Sequence, residues 1–374
     1  MISYCIIMSI ILLLVVFVAL IKTNIIMKNT VISSFIKSDT FTYIINRILL
    51  SLLSIFIVLV AVFLLMRMAP KNYLNNYNDS LTNHAYINNY SSSNIFKDFL
   101  YYMYNILPFP KRVCVASSLK NGSLVCGKYS YKIIDLGYSY FYMKNVSVWT
   151  IIKQKSSVSF LVGSIAYFFQ CLIGYPLGIY IAKRKNKLVD KSVNLLNTII
   201  SSIPEILYFY LFLIIFMVVF KLPVSFEIHN FASYLAPISA LVLFGSCLTA
   251  YWVKRYILLE SNKDYVKFAL SKGIDENTIF YKHIIRNALI PLIRTMPTSL
   301  AACICGYHLI EATFNIPGIG YTLITAINLQ DIYLVQGLIL FFSTFSVLSY
   351  LLGDLISVIF DKRISFREVA KHEE

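Results

Sequence analysis

Apolar residues are grouped along the chain into long runs that polar connections separate. A helix needs about 20 apolar residues to cross about 30 Å of hydrocarbon, and seven runs approach that length. These runs cover 6–21, 43–66, 158–182, 195–220, 231–253, 291–310 and 332–360. The pattern predicts an all-α polytopic membrane protein with six core spans and one extra span near the amino terminus.

The first apolar run, 6–21, is shorter than the others and differs from a cleaved secretory signal. Lys22, Lys28 and Lys37 follow this run instead of preceding it, and no small-residue cleavage site ends it. We interpret it as a signal-anchor with its amino terminus outside. A cleaved segment and a segment lying on the membrane surface are the alternatives.

Basic residues in the short connections orient the predicted spans, because Lys and Arg are retained on the cytoplasmic side of a membrane. They are concentrated in the connections at 183–191 and 254–286. By contrast, the connection at 221–230 contains one basic residue and the connection at 312–331 contains none. The first two connections are therefore predicted to be cytoplasmic and the other two external. This arrangement places the tail, 366–374, inside the cell.

The composition changes this picture little, but it excludes other classes of protein. The chain is 58% hydrophobic and 14% charged, against about 45–50% and about 25% in soluble domains. The net charge of +15 does not indicate a nucleic-acid partner, because the basic residues lie between apolar runs and not on one solvated face. The seven cysteines include no Cys-x-x-Cys pair, so no metal or redox site is expected.

The long polar region at 69–157 is predicted to be external, since long loops cross the membrane largely regardless of their charge. Residues 95–107 have apolar positions at helical spacing. Cys114 and Cys126 flank the Asn-Gly dipeptide at 121–122, which is typical of a β-hairpin turn. The two thiols either pair on this oxidising face or stay free, as in cells with little disulfide chemistry.

The connection at 254–290 has the local signals of a helix, a turn and a second helix. Gly273 can take the left-handed conformation that ends a helix, and Asp275 can cap the next one. Pro291 suits the first turn of the following span. Such a rigid protrusion can receive a push from a soluble partner. A solvated connection with an incidental helical pattern is the alternative.

Two segments resemble the oligopeptide, dipeptide and nickel branch of the binding-protein-dependent ABC importers. The first resembles the family's EAA loop, which docks into a groove on the ATPase subunit; the second resembles its external gate loop. The matching positions of the first are Asp264, Ala269, Lys272, Gly273, Asp275, His283, Arg286, Asn287 and Pro291, and those of the second are Glu311, Phe314, Pro317, Gly318 and Gly320. Tyr265 departs from the small residue of the general motif.

The resemblance covers 42–365 and implies a type I ABC importer transmembrane fold of six core helices plus one extra N-terminal helix. An insertion at 108–132 and the first 41 residues lie outside it. The domains predicted on this basis are an N-terminal helix and linker at 1–41, the first core span at 42–68, an external region at 69–157, a permease core at 158–365 that contains the coupling loop 254–290, and a tail at 366–374.

The resemblance also implies partners and a place in the cell. The expected partners are a second homologous permease in a heterodimer, two ABC ATPase subunits that use ATP and Mg, an external substrate-binding lipoprotein or protein, a peptide substrate and membrane lipid. The chain itself is expected to bind no cofactor and no nucleic acid and to catalyse no reaction, since it has no Gly-x-x-x-x-Gly-Lys-Ser/Thr loop. The expected location is the bacterial inner or plasma membrane.

The cargo stays open at this stage. The long external region favours oligopeptides or dipeptides, with nickel chelates and glutathione-like molecules as alternatives. A membrane sensor with an external ligand-binding region is the alternative from another class. Glu205 is predicted about 15–18 Å into its span, where it either lines the translocation path or forms a helix–helix hydrogen bond at the Pro204 kink.

Overall fold

The computed structural model describes residues 39–68, 95–107, 109–120, 123–221, 223 and 226–360. The predicted span at 6–21 lies outside these residues. The chain forms two compact units, which are described separately. Among the described residues, unit 1 comprises those up to Ile151 together with Thr325–Ser343, and unit 2 comprises Ile152–Ile324 together with 344–360.

Helices dominate the described part of the chain. In order, the elements are α1 (Asp39–Met68), α2 (Ile95–Ile106), β1 (Lys111–Lys120), β2 (Ser123–Lys132), β3 (Tyr138–Ser139), β4 (Val146–Ser147), α3 (Val148–Lys183), α4 (Leu188–Ser202), α5 (Glu205–Val218), α6 (Ala232–Ser261), α7 (Asp264–Ser271), α8 (Glu276–Thr278), a π-helix (Ile279–Ile284), α9 (Ile285–Ala288), α10 (Ile290–Cys305), α11 (His308–Thr313), α12 (Ile319–Asn328) and α13 (Ile332–Phe360).

The helices reproduce the number of predicted core spans. By length and composition, α1, α3, α6 and α13 are each able to cross a membrane. Two bent pairs of helices raise the number of spans among the described residues to as many as six. The predicted all-α membrane fold is confirmed; outside the spans, β1 with β2 and β3 with β4 form two small antiparallel sheets.

The predicted span at 195–220 is not one straight helix. α4 and α5 meet at a bend of 108°. Pro204 causes the break, because it has no N–H to donate and disfavours helical backbone in the residue before it. Ile203 is accordingly extended, with φ −93° and ψ 134°. The sequence located the kink correctly but predicted a continuous span.

α3 and α6 pack in parallel along a strip of small residues in unit 2. A Cβ added to Gly174 would lie 2.8 Å from Cβ of Thr249, and one added to Gly178 would lie 2.5 Å from Cβ of Val253. The residue numbers of the contacts increase in the same direction along both helices, from 174 and 249 to 178 and 253, so the two helices are parallel. Both helices therefore end on the same side, and the chain must cross back through α4 and α5 between them. This Gly-x-x-x-Gly spacing lets membrane helices approach closely.

We expect Gly178→Val to destabilise this helix pair by about 1–3 kcal/mol, the usual cost of overpacking. The new side chain would collide with Val253, whose Cβ and Cγ1 would lie 2.5 and 2.7 Å from its first carbon. Thermal unfolding in detergent would measure the loss. Leu172→Val is the matched control on the same helix, because Leu172 is 57% exposed. Equal stability of the two variants would contradict this packing.

α10 runs antiparallel to α3 and ends at the opposite side of unit 2. A Cβ on Gly163 would lie 2.9 Å from Cα of Cys303, near the end of α10. Near the other end of α3, Lys183 Nζ donates to Asn277 Oδ1 at 2.9 Å. Residues 264–288 and residues 306–320 therefore lie at opposite ends of α3. α13 finishes on the 264–288 side, because a Cβ on Gly353 would lie 2.4 Å from the carbonyl oxygen of Arg294.

In unit 1, one buried carboxylate joins the loop after β3 to the start of α13. Asp331 Oδ2 accepts hydrogen bonds from Ser139 Oγ at 2.6 Å and from the backbone N–H groups of Tyr140, Phe141 and Tyr142 at 3.1, 3.0 and 3.2 Å. Asp331 is 1% exposed. Four donors offset the cost of burying this charge.

Lys111, the first residue of β1, binds the hairpin to the end of α2. Lys111 Nζ donates to the carbonyl oxygens of Tyr104, Asn105 and Leu107, groups that the end of a helix leaves unsatisfied. Burial lowers the pKa of the Lys111 ammonium below its ordinary value, and the charge of Asp135 opposes part of that shift. The position of the lysine therefore depends on the helix end that it caps.

The β1–β2 hairpin is confirmed, but its register separates the two cysteines. Cys114 lies opposite Tyr129, and Cys126 lies opposite Ser117. An offset of three residues corresponds to about 10 Å along a strand, whereas the Cα atoms of a disulfide lie within about 7 Å. The side chains of both cysteines are outside the described set. The backbone register argues against the disulfide interpretation.

Candidate functional site

The first candidate site is the 264–288 segment, which joins α6 to α10. α7 ends in a paired turn: the N–H of Ile274 donates to the carbonyl oxygen of Ala269 at 3.3 Å, and that of Gly273 donates to Leu270 at 2.9 Å. Gly273 has φ +76°. These two bonds and the left-handed glycine define a Schellman motif, so the predicted helix stop is confirmed.

The next helix starts as predicted. The side chain of Asp275 accepts from the N–H of Thr278 at 3.1 Å, which is the N-cap arrangement. The chain then continues through a π-helical turn, Ile279–Ile284, a form that occurs often at functional sites. Pro291 lies in the first turn of α10, where its missing N–H costs no hydrogen bond.

A small apolar core makes this segment rigid. Val266, Ile279, Ile284 and Ala288 are buried together against Ile257 of α6. Ala269 packs against the same cluster, so it faces the core of the segment. Of Ala269 and Gly273, the two small residues of the EAA-like loop, only Gly273 is exposed. The interpretation of an incidental, solvated helical pattern does not fit this burial.

Tyr265, the bulky departure from the general motif, connects three parts of the segment. Its hydroxyl donates to Glu260 Oε1 at 3.1 Å and accepts from Asn287 Nδ2 at 3.4 Å. Glu260 Oε2 also pairs with Lys263 Nζ at 2.7 Å. A small residue at position 265 would leave Glu260 and Asn287 without this bridge. This role could not be predicted from the sequence, because the three residues meet only in the folded segment.

We expect Tyr265→Phe to destabilise the segment by about 1–2 kcal/mol, since the buried carboxylate of Glu260 would lose a donor. Hydrogen exchange of α7 and the π-helix would measure the increase in local opening. Tyr281→Phe is the control. It also removes a hydroxyl, but that hydroxyl accepts only an exposed bond from Lys183 at 3.3 Å. Equal exchange in both variants would show that the Tyr265 bridge is not structural.

Large apolar and aromatic side chains are exposed on the segment that contains Gly273. Phe268 is 60% exposed, Ile274 39% and Tyr281 54%, and a Cβ at Gly273 would have nothing within 4 Å. Lys272 Nζ lies over the Phe268 ring, 4.4 Å from its centroid. Sequence analysis had found the glycine and the lysine but had missed the apolar side chains. His283 and Arg286, two further positions of the EAA-like loop, are exposed.

A buried ion pair fixes α4 to α6 next to this segment. Lys254 Nζ contacts Asp190 Oδ1, and Asp190 Oδ2 accepts from the N–H of Asn186 at 2.8 Å. Asn194 Nδ2 donates to Asp190 Oδ1 at 3.0 Å. Asp190 thus holds the basic connection between α3 and α4 in place where it joins the first turn of α4.

The second candidate site, the 306–320 segment, closes around the carboxylate of Glu311. Ser159 Oγ donates to Glu311 Oε1 at 2.6 Å, and the N–H of Tyr321 donates to Oε2 at 2.9 Å. Ser159 Oγ in turn accepts from the N–H of Ile319 at 2.8 Å. Glu311 is 3% exposed. The sequence placed this residue in the gate-like segment but did not show that its carboxylate is buried.

Glycines in the 306–320 segment provide space for this carboxylate. A Cβ on Gly318 would lie 2.4 Å from Glu311 Oε2 and 2.5 Å from Ser159 Oγ, and one on Gly320 would lie 2.8 Å from Cα of His308. Neither glycine has a positive φ; Gly306, which precedes them, has φ +77°. Gly318 and Gly320 are buried, so they serve close approach and not a left-handed backbone conformation.

Other predicted residues of the second site lie within the same packed body. Phe314 is 3% exposed and joins the core formed with α5 and α6. Pro317 is half-buried. Glu205 begins α5 and is exposed, so the predicted helix–helix hydrogen bond is not formed among the described residues. No three His, Cys, Asp or Glu side chains in the described part of the chain lie together in a way that could hold a metal ion.

Together these features define a multi-pass α-helical membrane protein with a rigid protruding segment at one side and a glycine-rich buried turn at the other. Residues 174–366, more than half of the chain, match the family described as binding-protein-dependent transport system inner membrane component. The chain belongs to this family, whose membrane fold is that of the type I ABC importers.

Relatives with assigned functions include three kinds of permease. The chain is 34% identical over 213 residues to the oligopeptide transport system permease protein AmiC of Streptococcus pneumoniae, covering 56% of this chain and 43% of that protein. It is 27% identical over 228 residues to the dipeptide transport system permease protein DppB of Bacillus subtilis, covering 59% and 72%. It is 29% identical over 218 residues to the nickel import system permease protein NikB of Staphylococcus aureus, covering 57% and 64%. The match thus spans less than half the length of AmiC.

Proposed function

We propose that this chain is a permease subunit of an ATP-driven importer and that the 264–288 segment is its mechanical contact with an ATPase subunit. The observation that carries the proposal is that Phe268, Ile274 and Tyr281 are exposed on a segment with its own buried core. Apolar surface on a rigid protrusion outside the lipid needs a protein partner to cover it.

The connection between the two candidate sites explains how a push would be used. α10 begins at the 264–288 segment and ends at Gly306, the first residue of the other segment. Its 16 residues span about 24 Å at 1.5 Å per residue. A displacement of the 264–288 segment would move α10 as a rigid element. That movement would shift Glu311 relative to Gly318, where the two residues pack closely. In this mechanism the chain performs no chemistry; ATP hydrolysis occurs in partner ATPases.

The orientation follows from the basic connections. Lys and Arg on the 264–288 side support a cytoplasmic position for that side, and with it for the end of α13. The 306–320 segment would then face outward, where an external binding protein delivers cargo. The complete complex would contain a second homologous permease, two ATPase subunits and that binding protein, in the bacterial inner or plasma membrane.

Peptides are the favoured cargo, because AmiC and DppB are named as oligopeptide and dipeptide permeases. The similarity to NikB supports nickel as the second candidate. Glu205 would lie on the translocation path and attract the positively charged amino terminus of a peptide. Its position at the broken span α4–α5 supports this role, since charged residues within spans usually face a cavity or a partner.

Purification of the chain from its native membrane, followed by identification of its partners, would test the proposal. We expect two ATPase subunits, a second permease and a binding protein that carries a peptide. Recovery without any ATPase would contradict the importer assignment and favour a membrane sensor. A binding protein loaded with a nickel chelate would leave the importer assignment intact and replace the cargo.

A further inference from the structure

The exposed face of α6 changes character along its length in unit 2. Leu248 is 39% exposed, and Trp252 and Arg255 follow on the same face at intervals of four and three residues. Apolar side chains facing lipid, then an aromatic ring, then a cation, is the order expected where a helix leaves the hydrocarbon for the headgroup layer. Arg255 lies about 35 Å from the start of the helix, just beyond the thickness of the hydrocarbon.

A groove of about 300 Å³ opens at this level. It is lined by Tyr251, Lys254, Arg255, Leu258, Leu259 and Asn262. The groove therefore combines two cations, a phenol and an amide with an apolar wall, and none of its lining residues is acidic. These lining side chains are complementary to the two parts of a phospholipid that meet at this depth, the phosphodiester and the first carbons of the acyl chains.

The two cations are held in defined positions. The guanidinium of Arg255 lies over the Trp252 ring, 5.1 Å from its centroid, and Arg255 forms no ion pair with the described acidic side chains. Lys254 Nζ is held between Asp190 Oδ1 and Asn194 Oδ1, the latter at 3.3 Å. Asp190 offsets the charge of Lys254, so Arg255 carries the net charge of the groove. A stacked, planar guanidinium suits bidentate binding of a phosphate.

We propose that this groove binds the headgroup of an anionic phospholipid, with Arg255 on the phosphate and Leu258 and Leu259 against the acyl chains. The site requires only that α6 crosses the membrane and does not depend on the transport function. A lipid bound there would also contact the end of α6, which lies three residues before the 264–288 segment begins. Anionic lipid would thus stabilise the end of α6, from which the 264–288 segment continues.

Native mass spectrometry of the detergent-purified protein, with its copurifying subunits, would test the site. Phosphatidylglycerol and phosphatidylcholine with identical acyl chains are the two probes. We expect preferential binding of phosphatidylglycerol and about fivefold weaker binding in Arg255→Gln, the effect of removing one basic residue near an anionic surface. Arg255→Lys, which keeps the charge and loses the planar fork, should lie between the two.

Arg184→Gln is the matched control. Arg184 is also exposed and also stacks on an aromatic ring, that of Tyr180 at 4.8 Å, but it lies outside the groove. Equal losses in Arg184→Gln and Arg255→Gln would mean general surface attraction and would overturn the site. Displacement of the lipid by an equal concentration of inorganic phosphate would show a free-phosphate site instead. Loss of a subunit from Arg255→Gln with unchanged lipid binding would assign the face to a protein partner.

Discussion

Replacing Gly273 by leucine is expected to release the ATPase from the membrane complex or to uncouple ATP hydrolysis from transport. The left-handed conformation at position 273 costs a residue with a Cβ about 1–2 kcal/mol, which corresponds to roughly a tenfold change in an equilibrium. A leucine would also project into the space beside Phe268 and Ile274, where the partner surface must lie in our account. Retention of the ATPase and binding-protein-stimulated hydrolysis would be measured on the purified complex.

A series of substitutions at this position separates strain from size. Asparagine tolerates the left-handed conformation, so Gly273→Asn should keep most coupling. Gly273→Ala introduces the strain and little volume, because its Cβ would meet nothing within 4 Å in this chain. Alanine should therefore cause an intermediate loss and leucine the largest. Equal effects of alanine and leucine would indicate that no partner covers this surface. Lys272→Gln should be milder than Gly273→Leu, since exposed charges mainly steer docking.

Gly318→Ala is expected to destabilise the chain by about 3 kcal/mol and to abolish most transport. Its Cβ would lie 2.4 Å from Cδ of Glu311, so the carboxylate must move. That movement would leave the buried hydroxyl of Ser159 and the N–H of Tyr321 without their acceptor. Overpacking and unsatisfied donors therefore add together. Thermal unfolding in detergent and substrate uptake into reconstituted vesicles would measure the two losses.

The double variant provides the control for this explanation. Glu311→Ala removes the carboxylate that the new methyl group would strike. Gly318→Ala should consequently cost at least about 1 kcal/mol less in the Glu311→Ala background than in the wild type. The same cost in both backgrounds would mean that the collision with Glu311 does not determine the effect. Normal stability and uptake in Gly318→Ala would show that the 306–320 segment is only a connector.

Local signals allowed much of the architecture to be predicted. Apolar runs of sufficient length located all six core spans, because each span must satisfy its own length requirement in lipid. The ends of the helices around the 264–288 segment were equally predictable. Gly273, Asp275 and Pro291 each act on the backbone within a few residues, so their effects do not depend on the rest of the fold.

Features that depend on distant contacts could not be predicted. The proline at 204 predicts a break in the span, but its local effect on the backbone does not specify an angle of 108°. Tyr265 and Asn287 are 22 residues apart, and Ser159 and Glu311 are 152 apart. Periodicity does not show which of these side chains meet. The sequence therefore identified the two segments but not the bridge or the buried carboxylate that hold them.

Site-specific photocrosslinking in the assembled complex is the most direct test of the central claim. A photoreactive amino acid would replace Phe268, which is 60% exposed in the 264–288 segment, or Asn315, which is exposed at the opposite end of α3. We predict that position 268 crosslinks to an ATPase subunit and that position 315 does not. Absence of the ATPase crosslink at 268 in an intact, active complex, or an ATPase crosslink at 315, would contradict the account.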